Sequence, residues 1–514
     1  MKLVKSLLLG SAAGLIAVGG AQAADLPVKA KAVEYVKICS LYGAGFYYMP
    51  GTDTCIKFGG YVRADLAVGA GDYGFQSGAN QGSNNRLTNY WYSRARMDLN
   101  VDTRTATEYG VVRTYADMVF SFTSSTYTGS TPSAIGGSDG AASLGLYHAF
   151  VQFAGFTFGR TVSIFDAPWQ SYPAGGPDHI PGGSNNVTGV NQVAYTADFG
   201  QGVTASLALQ DMSTAAGGQS NLWNVNGFTG ASSLTAAGVV STKTAAQVAG
   251  AALVQGQYGN NDWGGTRSPD IVGAVRVDQA WGLAQFSVAA HDIHAAYYGT
   301  TETTNHPADK WGWAVQGALS IKNIPTGPGD TINLQAVYTD GASRYNFQSL
   351  FPQTIFMFSG TSMAGAYQST GFASIADGVF GTGTGIETVK TWGFRGGYTH
   401  NWSPTWASGI YGGYAQLRYG DTGKALICTN FAAIAVAGST CNPDFNFAVI
   451  GVNTVWTPLK NLAFTADVNW TRLDQKYSGA INSPGITSVA KPAAVYELKD
   501  QNSVSMLLRA QRNF

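Results

Sequence analysis

Charge is scarce in this 514-residue chain. Lys, Arg, Asp and Glu together make up 12% of it, about half the ~25% of an average soluble domain, so an ordinary solvated surface is not what the sequence encodes. The 30 basic and 30 acidic residues cancel. Removing the first 23 residues, with Lys2 and Lys5, leaves a slightly acidic remainder, which argues against nucleic acid as a partner. Long apolar runs are also missing. The one run, Leu7 to Val18, is shorter than the ~20 residues a spanning helix needs. A chain that stays in a membrane without apolar helices must close its backbone hydrogen bonds between strands, and so must be a barrel. There are four cysteines, none in a C-x-x-C spacing and none beside clustered histidines, so a structural metal is not indicated. No convergent nucleophile and base is found either, and no catalytic residue, metal or cofactor is assigned.

What the chain has is glycine, 66 residues, and aromatic side chains, 12%, as strands joined by turns and ringed by aromatic girdles require. Mean hydropathy is near zero, which does not separate a soluble sandwich from a barrel, because alternation averages out the apolar face.

The termini supply the compartment. Lys2 and Lys5, the apolar run and Ala21-Gln22-Ala23 form a secretory signal peptide over residues 1–23, leaving 24–514 as the mature barrel. At the other end residues 503–514 alternate. Val504, Met506, Leu508 and Ala510 share one face, and Ser503, Ser505, Arg509, Gln511 and Asn513 the other. Arg512 breaks the apolar parity close to the strand end, where a long cationic side chain reaches the headgroups. A terminal Phe514 on such a strand resembles the signature read by the outer-membrane assembly machinery. The expected surroundings are therefore outer-membrane lipid and lipopolysaccharide. Export also places the cysteines in an oxidising compartment, where the parsimonious one of three connectivities is Cys39–Cys55 with Cys428–Cys441.

Between the termini, short turns alternate with long Gly/Ser/Asn-rich loops, the asymmetry of periplasmic turns and extracellular loops. Turns are expected at 102–108, 154–156, 199–202, 280–283, 323–330, 401–405 and 457–461. Long connections are expected near 69–89, 121–144, 160–190, 210–269, 291–310, 340–389, 419–444 and 472–500. Seven turns and eight loops join sixteen strands, an even number with an aqueous lumen.

The strand patterns separate lipid from lumen. Phe58, Val62, Ala64 and Leu66, then Ala95, Met97, Leu99 and Val101, and later Leu462, Phe464, Ala466, Val468 and Trp470 face lipid, while Asp467 and Asn469 turn inward. On the lumen parity of the first three strands fall Arg63, Asp65, Arg94, Arg96, Asp98, Arg113 and Asp117. Counting from the expected turns, a rise of ~3.3 Å per residue and a tilt of ~40° place Arg63, Arg96, Arg113 and Arg509 at one height near mid-barrel, with Arg94 a step above. Closure sets the last strand beside the first, so these arginines form a basic ladder. The third loop begins Gly159-Arg160-Thr161-Val162-Ser163-Ile164-Phe165-Asp166, too apolar for a solvated loop. It is expected to fold inward and oppose the ladder with Asp166 and Asp178.

Residues 39–65 (CSLYGAGFYYMPGTDTCIKFGGYVRAD), 93–98 (SRARMD) and 155–166 (GFTFGRTVSIFD), with the terminal Phe, resemble the alphaproteobacterial general porins over essentially the whole mature chain. That resemblance implies an all-β, sixteen-stranded antiparallel transmembrane barrel, a homotrimer, and passive conduction of ions and small hydrophilic solutes past an inward third loop. The departures are the Ala/Gly/Ser/Thr-rich loops 210–269 and 340–389. A substrate-selective porin remains the alternative of the same class, and a surface adhesin or barrel enzyme that of another. Two motif matches, Gly69 to Gly74 (G-x-G-x-x-G) and Gly136 to Gly140 (G-x-S-x-G), lie in loops without the following helix their chemistry needs. His291 and His294, with Asp292, are read as solvating a strand edge rather than binding metal.

Overall fold

The computed structural model describes residues 37–69, 91–124, 141–170, 172–215, 219–227, 245–347, 353–486 and 490–514. The expected signal peptide and both decoy glycine motifs past Gly69 lie wholly or mostly outside these residues. Sixteen antiparallel strands close into one barrel. They are β1 Thr54–Gly69, β2 Trp91–Thr107, β3 Gly110–Thr123, β4 Ala141–Phe153, β5 Phe156–Thr161, β6 Val190–Asp198, β7 Val203–Asp211, β8 Asp270–Gln279, β9 Gly282–Ile293, β10 Lys310–Lys322, β11 Thr331–Asp340, β12 Lys390–Ser403, β13 Trp406–Arg418, β14 Phe445–Leu459, β15 Leu462–Gln475 and β16 Gln501–Asn513. Closure is made by β16 against β1, from Tyr61 opposite Asn513 to Gly69 opposite Ser505.

Alternation decides which way each side chain points. Phe58, Val62, Met97, Phe464 and Val468 are exposed, each between 40% and 54%, which in water would be prohibitive and in a bilayer is the apolar band itself. Asp467 and Asn469, on the other parity, are buried.

The turns explain themselves locally. Between β4 and β5 stand Ala154 and Gly155, at φ 48° and 85°, the positive pair a two-residue hairpin of type I′ requires. One expectation needs correction. The polar run from Asp102 is not a turn: β2 continues to Thr107, and the hairpin is the pair Glu108-Tyr109. Alternating polar residues below the membrane keep pairing as strand, and their polarity alone does not end it.

Both inferred disulfides are present, Cys39–Cys55 and Cys428–Cys441, with Cα separations of 6.0 and 5.7 Å. The first holds residues 39–55 against β1, where Tyr47 and Tyr48 pair with Ile56 and Cys55.

The long loops build structure of their own. One four-stranded sheet joins Asn260–Asn261, Asn221–Asn224, Ala376–Phe380 and Glu387–Thr388; another joins Thr354–Ser359, Gln368–Ser374, Ala494–Leu498 and Gly479–Ser483. Helices Ala245–Leu253 and Asp421–Ala432 accompany them. These elements share the largest buried apolar cluster among the described residues with Tyr411, Leu417, Phe445 and Leu473 of the barrel wall.

Candidate functional site

The strand register assembles the charged wall. Asp65 on β1 stands between Arg94 of β2 and Arg509 of β16. Arg94 donates to Asp65 Oδ2 from Nη2 at 2.7 Å and from Nε at 3.0 Å, while Arg509 Nε donates to Oδ1 at 2.7 Å. The side chains of Arg94 and Asp65 are 2% and 0% exposed. Two residues along, Arg63 faces Arg96 and Gln511. Arg63 Nε donates to Gln511 Oε1 at 2.8 Å, and its guanidinium lies 4.3 Å from the centroid of Tyr61. Arg96 Nε donates to Ser121 Oγ at 2.9 Å. Four arginines thus occupy two adjoining rows around one carboxylate, an excess of positive charge on one patch of wall.

Arg113 does not join them. It lies opposite Arg104, eight residues along β2 from Arg96, or ~26 Å at ~3.3 Å per residue. There both arginines share Asp102, each with an Nη2–Oδ2 distance of 3.0 Å, and Arg113 also donates to Gln152 at 2.9 Å. The misplaced turn explains the error, because a later hairpin moves every height counted from it. Between the two arginine groups lie Asp98 and Asp117, both buried. Asn100 donates to Asp98 at 3.2 Å, and His148 Nε2 is 3.8 Å from Asp117 Oδ2.

The third loop supplies two carboxylates with different roles. Asp178 accepts a hydrogen bond from the Tyr172 hydroxyl and acts electrostatically on both Arg94 and Arg96. Asp166 does not face the ladder. It is 2% exposed and is satisfied within its own loop by Asn186, through N at 2.6 Å and Nδ2 at 3.3 Å, on the side where Arg395 lies.

The same loop is held by side chains from across the barrel, all on the parity opposite the apolar band. Gln316 Nε2 donates to Phe165 O at 2.7 Å, Asn333 Nδ2 to Pro173 O at 2.5 Å, and Asn453 Nδ2 to Ala174 O at 2.6 Å. Arg395, 1% exposed, donates to Ser184 O at 2.6 Å and Gly183 O at 3.2 Å. Sequence reasoning missed these anchors. Their signal was present in Gln316, Asn333 and Arg395, polar residues on the inward parity of otherwise apolar strands.

His291 also departs from its reading as a solvated edge residue. It is buried, with Nδ1 2.8 Å from Asp270 and Nε2 3.6 Å from Asp377. His294 pairs instead with Asp309 at 2.8 Å.

A family model described as a porin subfamily matches residues 25–507. The chain belongs to the porin family. It is similar to Porin Omp2b of Brucella neotomae, 32% identical over 355 residues, covering 66% of this chain and 85% of that protein. Porin Omp2a of Brucella ovis is likewise 32% identical over 360 residues, covering 66% and 90%. Among solved structures, the outer membrane channel DcaP of Acinetobacter baumannii superposes with a TM-score of 0.54 at 14% identity, over 91% of this chain and 99% of the other; that likeness concerns the fold. The porin resides in the bacterial outer membrane. Its family and barrel support a passive diffusion channel.

Proposed function

We propose that this porin is a general diffusion channel whose path runs between the arginine wall and the third loop, with that loop folded inward as the constriction. The observation that carries the reading is the pairing of opposites: Arg63, Arg94, Arg96 and Arg509 occupy two adjoining rows, and the Asp178 carboxylate is within electrostatic reach of two of them. In a narrow aqueous passage with low-dielectric walls, such an arrangement sets a field across the direction of flow. Water and small polar solutes align in that field, and size limits what enters.

Single-channel conductance with reversal potentials in a salt gradient tests the channel. Liposome swelling with graded neutral sugars tests its generality: rates should fall smoothly with solute size, whereas saturation with one sugar would make it substrate-selective. The channel reading leaves catalysis no part in the function. The apolar outer faces of the strands near the termini, with Phe58, Val62 and Met97 exposed, suit packing between copies, and the proposed assembly is a homotrimer. Unboiled samples should migrate as a heat-modifiable oligomer. Lipopolysaccharide and the assembly machinery that reads Phe514 are the remaining proposed partners.

A further inference from the structure

A barrel that conducts water is expected to present polar side chains to its lumen. At the long-loop ends of β13, β14 and β15 four inward positions of this porin do the opposite, although β15 also turns Asp467, Asn469 and Gln475 inward. Ala415, Leu417, Phe445 and Leu473 are each 0% exposed, although they stand on the parity opposite lipid-facing Ile410 and Ile450, which are about half exposed. Their cover includes the long loop after β11, whose Phe347 ring lies 5.7 Å from that of Phe445 and whose Ile355, Met357 and Phe372 belong to the same buried cluster, together with residues of the loops after β7, β13 and β15.

Specific polar contacts fix how that loop is seated. Gln475 at the end of β15 donates to Thr370 O at 2.9 Å and accepts from Phe372 N at 3.3 Å. From β16, Gln501 Nε2 donates to Ser369 Oγ at 3.1 Å. Deeper in, the loop rests on the third loop, because Gly182 and Gly183 both donate from N to Asn346 O at 2.9 Å. Asn346 Nδ2 in turn donates to Thr391 Oγ1 of β12 at 2.9 Å. On the far side Tyr345 donates to Asp270 of β8 at 2.6 Å. The loop is therefore bonded to four strands and to the loop beneath it, on inward-pointing side chains.

Resting on the channel reading above, we infer that this loop is a second constriction, an apolar plug that fills the lumen beside β12 to β15. The permeating path is confined to the crescent along β16 and β1 to β4, where Arg63 and Arg96 remain partly exposed. Two properties then have separate owners. The plug sets the size limit and conductance; the arginine wall sets ion preference.

Cysteine accessibility in planar bilayers tests this without disturbing the plug, since the four native cysteines are all in disulfides. The probe is a membrane-impermeant methanethiosulfonate added to the bath. Arg63→Cys should be modified promptly, with a step in conductance. Ala415→Cys should react at least about tenfold more slowly, as for a group reached only by local opening. Adding Phe372→Asp to Ala415→Cys should bring its rate close to that of Arg63→Cys and raise conductance about twofold, with ion preference unreversed. Equal modification rates for the Arg63→Cys and Ala415→Cys single variants would overturn the plug while leaving the channel intact. A folded Arg63→Cys protein with no conductance would overturn the channel reading, and the plug with it.

Discussion

Two stretches of the same barrel wall, alike in backbone and opposite in chemistry, show that inward is not the same as wet. Along β16, β1 and β2 the inward positions carry Arg509, Asp65, Arg94, Arg63 and Arg96, held by hydrogen bonds and ion pairs. At the loop-side ends of β13, β14 and β15 they carry Ala415, Leu417, Phe445 and Leu473, held by apolar contact with the long loops. The first wall retains charge because neighbouring polar groups stabilise it; the second is dry because another part of the chain has replaced the water. Strand alternation separates lipid from interior in both, but what fills the interior is decided by tertiary packing.

The sharpest way to break the first wall is to remove the carboxylate at its centre. Asp65→Ala takes from buried Arg94 the carboxylate that accepts two of its hydrogen bonds, and losing one partner of a buried pair costs about 3–5 kcal/mol. The temperature at which the folded band converts to the unfolded band on gels should drop clearly, by more than any comparable change on the partly exposed Arg63. An unchanged transition would show that the remaining neighbours of Arg94, Asp178 among them, already hold its charge.

Next in size is the effect on selectivity. Arg63→Glu with Arg96→Glu reverses two charges where screening is weak, so cations should gain relative permeability, and the reversal potential should shift accordingly. A folded, conducting double variant with native selectivity would remove these arginines from the path. Asp178→Asn should shift selectivity the other way and by less, since one charge is lost rather than two reversed. Asp166→Asn should leave selectivity nearly native, because that carboxylate is spent on Asn186 inside its own loop. If Asp166→Asn shifts the reversal potential more than Asp178→Asn, the assignment of the two carboxylates is inverted.

The smallest effect probes the dry side. Lys491 lies in the loop before β16, with Nζ 4.6 Å from the centroid of Phe358 and 2.8 Å from Gln368 Oε1. Burial pulls its ammonium down to about 8, below its unfolded value. Between that value and the ordinary lysine range, ~10.4, the unfolded form binds the extra proton, so folding stability rises with pH across the interval. At neutral pH the charge is therefore a cost to the loop cap. Lys491→Met should protect the cap from protease better than the native residue at pH 7, and this advantage should shrink to nothing by pH 11. A constant advantage at both would point to packing rather than titration.

How much of this was legible follows from the same contrast. The barrel, its strand number, the disulfides and the lipid face were readable because lipid on one side imposes a period of two, and because short turns cluster glycine and asparagine. The rows around Asp65 were readable because every charge on β1 and β2 shares one parity. Arg113 was misplaced because Asp102, Thr103 and Arg104 look like a turn when strand is assumed to stop at the membrane edge. The plug was missed because its residues were judged by their Ala/Gly/Ser/Thr-rich surroundings. One signal was available in the run Ile355-Phe356-Met357-Phe358, continuous apolar side chains typical of a strand covered on both faces, inside a segment taken for surface loop. Asp166 and Asp178 could not be told apart, since nothing local records which one finds Asn186.

The bond from Arg509 to Asp65 joins residues 444 positions apart, across the pairing of last strand to first. Every other neighbouring pair of barrel strands is consecutive in the chain and can form as a hairpin or across a single loop. This one must wait until the rest has been threaded into place, the slow kind of contact in folding. The group of four arginines is therefore completed last: an open sheet already brings Arg63, Arg94 and Arg96 together around Asp65 on β1 and β2 and lacks only Arg509. Closure adds the fourth arginine, so a refolding time course that follows the Arg509–Asp65 contact records the shutting of the seam, while one that follows strand content records everything before it.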